Sequence, residues 1–263
     1  MNVWAVANQK GGVGKTTTAV SLGGLLARRG ARVLLVDLDP HGSLSSYFGH
    51  DPELPDGSVY DLFMDGPSEA GSRQLVSKTA VEGLSLIPAC TAMATLDRQL
   101  GTRQGKGLIL QRALKGLTAD YDHVLLDCPP MLGVLMVNAL AACNMLLIPV
   151  QTEYLALRGL ERMLRTVQMV LRSRPGDLPC HIVPTMFDRR TRACLDALED
   201  LRKHHGECLW PGEIPLDTRF REASRQGQPL TVVHPWSRGS QAYRQLLGYL
   251  LEEHEDVAQG GGV

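Results

Sequence analysis

The sequence predicts a doubly wound α/β fold, a mostly parallel sheet flanked by helices on both faces. Three observations predict it. Short apolar runs of four to seven residues, rich in Val, Leu and Ile, recur along the chain, as expected of parallel strands buried on both faces. Helical stretches of nine to eighteen residues separate them, the alternation of βαβ units. The first run passes through a glycine-rich loop straight into a helix.

Taken in order, residues 3–7 read as the first strand, 9–14 as the loop and 15–29 as a helix closed by Gly30 as its C-cap. Val33-Leu34-Leu35-Val36 is a β-branched apolar run ending at Asp37. Further strands are expected at 84–88, 123–127, 145–150 and 180–186 and near Ile214. Helices are expected at 107–117, 134–142, 155–172, 191–205 and 240–253. Residues 49–72, rich in Gly, Pro, Asp and Ser, read as an excursion over the surface. One domain over residues 1–254 is the economical division, followed by a flexible acidic and glycine-rich tail over 255–263.

The 263 residues are 44% apolar and 21% charged, which supports a substantial core and excludes disordered, collagen-like and coiled-coil classes. No apolar run approaches the ~20 residues needed to cross a bilayer. Met1 to Ala7 lacks the basic-then-apolar plan of a secretory leader, so a cytoplasmic protein is expected. Six dispersed cysteines form no C-x-x-C pair, and the histidines show no ligand spacing, so neither a disulfide scaffold nor a metal site built from this chain's own cluster is expected.

The formal net charge of −1 argues at first against a nucleic-acid binder, but it is a sum of unlike segments. Residues 1–157 carry −2, residues 158–244 carry +5 and the last 19 residues carry −4. Arginine supplies 21 of the 27 cations, and Arg suits forked phosphate contacts. On charge alone, the basic third reads first as an ordinary solvated face.

The loop reads Asn8-Gln9-Lys10-Gly11-Gly12-Val13-Gly14-Lys15-Thr16-Thr17-Thr18. Glycines let backbone N–H groups close around phosphate oxygens, and the helix start adds its positive dipole end. Lys15 is placed to reach β/γ-phosphates and Thr16 to offer a hydroxyl to Mg²⁺. The strict pattern G-x-x-x-x-G-K-[ST] is not met, because its first glycine would fall at Gln9. A second lysine, Lys10, stands inside the loop instead, one charge more than a single nucleotide needs.

K-G-G-x-G-K-T-T resembles the deviant Walker A box of the ParA/MinD group of P-loop ATPases. VLLVDLDPHGS at 33–43 is similar to that family's second motif, usually D-x-D-P-Q-G-N, with His41 and Ser43 departing from it. YDHVLLDCPP at 121–130 resembles its Walker B strand. PVQTEYLALRGL at 149–160, TMFDRRTR at 185–192 and residues 214–229 are closer to ParA than to MinD. The resemblance covers nearly the whole chain and implies an ATPase with ATP and Mg²⁺ as ligands, slow alone and stimulated by a partner.

By the family pattern Gly11, Gly12, Val13, Gly14, Lys15, Thr16 and Thr17 hold the nucleotide. Thr16, Asp37 and Asp127 serve Mg²⁺, partly through water, and Asp39 positions the attacking water. Lys10 matches the signature lysine, which reaches the partner's ATP across a homodimer. Met186, Asp188, Pro215 and Asp217 occupy the positions that contact adenine. Arg189, Arg190 and Arg192, then Arg219, Arg221 and Arg225, are the candidates for non-specific DNA binding, the second group at near-helical spacing. The resemblance thus implies an ATP-dependent dimer on the nucleoid, met by a ParB-like partner. Its cargo is a chromosome or plasmid partition complex or, as the His41 and Ser43 departures suggest, a chemotaxis or flagellar cluster. A MinD-like spatial regulator and a metal-cluster carrier are the alternatives. The acidic end, Glu252 to Asp256, argues against a membrane-binding tail, and the lone Cys128 argues against a bridged cluster.

Overall fold

The sheet sets the apolar runs side by side, and helices packed on its two sides bury both faces. In chain order the strands of this computed structural model are β1 (Asn2–Val6), β2 (Val33–Asp37), β3 (Ser77–Lys78), β4 (Leu84–Ile87), β5 (His123–Asp127), β6 (Met145–Gln151) and β7 (Cys180–Thr185). The structure describes residues 1–66, 68–100, 106–172, 174 and 176–260. The strand order is β3-β4-β2-β5-β1-β6-β7, parallel throughout except for the short β3 against β4. The helices are α1 (Lys15–Arg28), α2 (Ser43–Tyr47), α3 (Val59–Met64), α4 (Glu69–Gln74), α5 (Leu96–Leu100) and α6 (Ile109–Lys115). They continue with α7 (Val134–Ala142), α8 (Tyr154–Leu171), α9 (Arg192–His205), α10 (Arg219–Arg225), α11 (Leu230–Val233) and α12 (Arg238–Gly260). Among the described residues no helix is long and apolar enough to cross a membrane.

Alternation along each strand divides the core in two. Ala5, Leu34, Val36, Val124, Leu126 and Ile148 face one layer, which holds Leu110, Met136 and Leu160. Trp4, Val6, Leu35, Leu125 and Leu147 face the other, which holds Leu22, Leu26, Tyr243 and Leu246 of α1 and α12. This is the doubly wound arrangement expected. Chain direction around β1 reverses the winding, so the loop after β1 opens at a switch point, at the carboxyl ends of the strands.

Three expectations differ from the structure. No strand forms at Ile214; only isolated pairings of Phe187 with Pro215 and Ile182 with Leu209 link this segment to β7. Pro184, Pro211 and Pro215 have no N–H, so a continuous ladder is impossible there. Residues 49–72 are not a mere surface excursion. Val59, Leu62 and Phe63, at helical spacing, bury one face of α3 in the core, and Ser58 and Asp61 close a capping box at its start. The boundary placed at residue 254 falls inside α12, which runs to Gly260; residues 261–263 lie outside the described chain.

Candidate functional site

The loop is fixed from three sides. The Ala7 N–H donates to the Leu147 carbonyl (3.0 Å), continuing the β6 pairing past β1. The Asn8 amide donates to the Pro149 carbonyl (2.8 Å) and accepts from the Lys10 N–H (3.0 Å). The Thr185 hydroxyl donates to the Val13 carbonyl (2.9 Å). Gly12 and Gly14 lie at φ 72° and 91°, a region other residues enter at a cost, and a side chain added at Gly11 or Gly12 would meet nothing within 4 Å. The backbone therefore curls around open space at the start of a 14-residue helix with no acid in its first turn. Lys15 is buried, its ammonium bonded to the Lys10 carbonyl at 3.3 Å. That cradle has the shape and sign of a phosphate site.

The carboxylates come to it through register. Asp127 ends β5, level with Val6 of β1 on one side and with Asp37 of β2 on the other. The Thr16 hydroxyl donates to Asp127 Oδ2 at 2.6 Å, while Asp127 Oδ1 is buried with no partner among the described residues. Asp37 is held by the Ser45 N–H (2.8 Å) and Ser45 hydroxyl (2.7 Å), and by the Asp39 N–H (3.1 Å). Burial raises the pKa of both Asp37 and Asp127, and each carboxylate's neighbours add repulsion. Two buried acids beside a hydroxyl, with one orphaned oxygen, fit a divalent cation, which supplies the missing charge and ligand. Asp39 stands at the mouth, and its Oδ1 accepts the His41 N–H at 3.0 Å.

Lys10 is held differently. Its ammonium pairs with Glu153, the N-cap residue just before α8. Around it lie exposed apolar side chains: Met131 at 67%, Leu155 at 70%, with Leu132 and Tyr154 beside them in the chain. A cleft lined by Gln9, Lys10, Met131, Leu132, Leu155 and Arg158 joins this rim to the loop. Of the two loop lysines, one is buried and one part-exposed.

Met186 takes a left-handed conformation (φ 55°) after β7, and Phe187 pairs with Pro215; of the four adenine candidates, Asp188 and Pro215 line one cleft, which Met186 and Asp217 do not. Asp188 is engaged by Arg190 in a forked pair (2.9 and 2.7 Å), which holds its pKa down at about 2. Asp217 instead accepts the backbone N–H groups of Arg219 (3.1 Å) and Gly239 (3.2 Å), tying α10 to α12. All six arginine candidates are exposed, with Arg192 paired to Asp196. They do not form one helical face: Arg221 and Arg225 are one turn apart on α10, but Arg219 is two residues from Arg221 and points elsewhere. Arg221 lines a shallow cleft with Thr17 and Tyr47, and Arg238 of α12 joins Arg189 and Arg190. Sequence reasoning missed Glu153, Ser45, Thr185 and Arg238; Glu153, Thr185 and Arg238 reach their places only through the packing of distant elements. Cys128 is fully buried behind the sheet, its thiol kept protonated by burial, and so is no surface ligand for a bridged cluster.

Residues 1–178 match the family described as an AAA domain. Over 243 residues the chain is 40% identical to the sporulation initiation inhibitor protein Soj of Bacillus subtilis, covering 92% of this chain and 95% of that one. The chain belongs to the ParA/MinD-type P-loop ATPases. It is also 38% identical over 259 residues to the chromosome partitioning protein ParA of Caulobacter vibrioides, covering 97% and 96% of the two chains. A solved structure described as cobyrinic acid a,c-diamide synthase of Mycobacterium smegmatis, with a bound ATP analogue and magnesium, superposes with a TM-score of 0.82 at 36% identity, covering 97% and 96%. This ParA/MinD-type chain therefore carries its family's loop on its family's fold, and its relatives' names point to positioning work on chromosomes.

Proposed function

We propose that the chain is an ATP-switched positioning ATPase: ATP closes a homodimer, the dimer holds DNA without sequence preference, and a partner protein triggers hydrolysis and release. One observation carries the reading. The two loop lysines are held differently: Lys15 is buried against the loop, while Lys10 is part-exposed and pairs with Glu153 in a cleft with Met131 and Leu155. A part-exposed cation in a cleft with exposed Met131 and Leu155 suits a group that completes a partner's site only on contact.

In this reading the loop N–H groups, Lys15 and Thr17 hold the phosphates, and Thr16, Asp37 and Asp127 hold Mg²⁺, which neutralises charge on the transferred phosphoryl group. Asp39 orients the attacking water. Met186, Asp188, Pro215 and Asp217 border the base, and the exposed arginines meet DNA phosphates. The protein would then work in the cytoplasm on the nucleoid. The cargo is a partition complex or a chemotaxis cluster. Light scattering with Mg²⁺ and a slowly hydrolysed ATP analogue tests the carrying observation. The parent is expected to double its mass and Lys10→Ala to bind nucleotide yet stay monomeric; a dimerising Lys10→Ala protein refutes it.

A further inference from the structure

We infer that His41 is a positioning residue for Asp39, selecting which carboxylate oxygen faces the attacking water. The inference rests on the reading above, in which Asp39 orients that water. His41 stands where the second motif usually has Gln, and its ring turns back onto Asp39. Asp39 Oδ1 receives two contacts from the same residue, the His41 N–H at 3.0 Å and the ring Nδ1 at 2.8 Å. Among the described residues Asp39 Oδ2 accepts none. One oxygen is therefore saturated and the other free, which fixes the carboxylate's rotation.

The turn that presents the ring is rigid. The Asp39 carbonyl accepts the Gly42 N–H (2.8 Å), and Gly42 lies at φ 61°, where a Cβ would strike Pro52 at 2.3 Å. The Asp39 backbone is itself anchored, its N–H donating to buried Asp37. The Asp39 side chain is only 15% exposed while the His41 side chain is 80% exposed. The imidazole thus covers the carboxylate from the solvent side without being locked into the core. A donor at Nδ1 suffices, so the neutral ring does this work as its Nδ1–H tautomer.

Three variants and one spectrum test it. Nitrogen NMR of the nucleotide-free protein should show His41 protonated at Nδ1, shifting when Asp39 is replaced by Ala. His41→Ala should lower kcat for ATP about fivefold to tenfold, the worth of one charge-assisted bond, with KM unchanged. His41→Asn, whose side-chain amide can place its N–H near the Nδ1 position, should restore most of the rate. An unprotonated Nδ1, an unchanged kcat in His41→Ala, or an Asn variant as slow as Ala overturns the inference. Asp39→Ala separates the two levels. If it still hydrolyses ATP, the water-orienting reading itself fails; if it is inactive while His41→Ala is silent, only this inference does.

Discussion

The phosphate cradle and the arginine-bearing third hold charge in opposite ways. In the cradle Lys15, Asp37 and Asp127 are buried; Asp127 is held by Thr16 of α1, Asp37 by Ser45 of α2, and Lys15 by the Lys10 carbonyl of the loop. In the carboxyl third the six candidate arginines are exposed, and the ion pairs of Arg190 and Arg192 use carboxylates two and four residues away on the same segment. The first arrangement is a geometry that tertiary structure imposes. The second is a set of exposed cations, which the proposed reading turns toward DNA phosphates. A buried charge is worth several times an exposed one because water no longer screens it, which suits a selective nucleotide site and a weak, reversible hold on DNA.

That contrast can be broken at either end. The largest effect is expected from Lys15→Ala, which removes the buried ammonium of the cradle. ATP affinity should fall at least ~100-fold, about 3 kcal/mol, by calorimetry. A fall of only a few fold would mean the loop amides alone bind nucleotide.

Next is the double variant Arg221→Ala with Arg225→Ala, the pair sharing one face of α10. DNA retention should weaken roughly tenfold, equally on unrelated sequences, and the salt slope should flatten by up to about 2. Arg219→Ala alone should do less, since its side chain leaves that face. Sequence-dependent loss would contradict a purely phosphate-directed surface.

The smallest effect is on stability. Burial raises Asp37 and Asp127 above their ordinary range, so the folded chain binds more protons than the unfolded one. Without Mg²⁺ and nucleotide, stability should therefore fall as pH rises from about 4 through that raised range. Thermal melts should drop by a few degrees between pH 6 and pH 8, and Asp127→Asn should flatten the drop. A flat parental profile would show that the two acids are not held apart from solvent.

Much of the cradle was legible because its signal is contiguous. Lys10 to Thr18 sit in one stretch, and Asp37 and Asp127 each end an apolar run. The strand expected at Ile214 was not, because the prolines there remove ladder donors that an apolar pattern cannot reveal. The spacing of Arg219, Arg221 and Arg225 looked helical, and α10 is a helix, yet only two of the three share a face. Residues 49–72 looked like surface because Gly and Pro outweighed the three apolar positions that dock α3.

The sequence by itself determined the alternation of strands and helices, the phosphate loop and the presence of two loop lysines. Periodicity and short-range spacing encode these without reference to any distant residue. Only the tertiary structure decided that β5 lies between β1 and β2, bringing Asp127 level with Asp37, and that Glu153 waits opposite Lys10. Those juxtapositions join residues 90 and 143 positions apart in the chain. They follow from which buried faces pack together, and no local pattern records that.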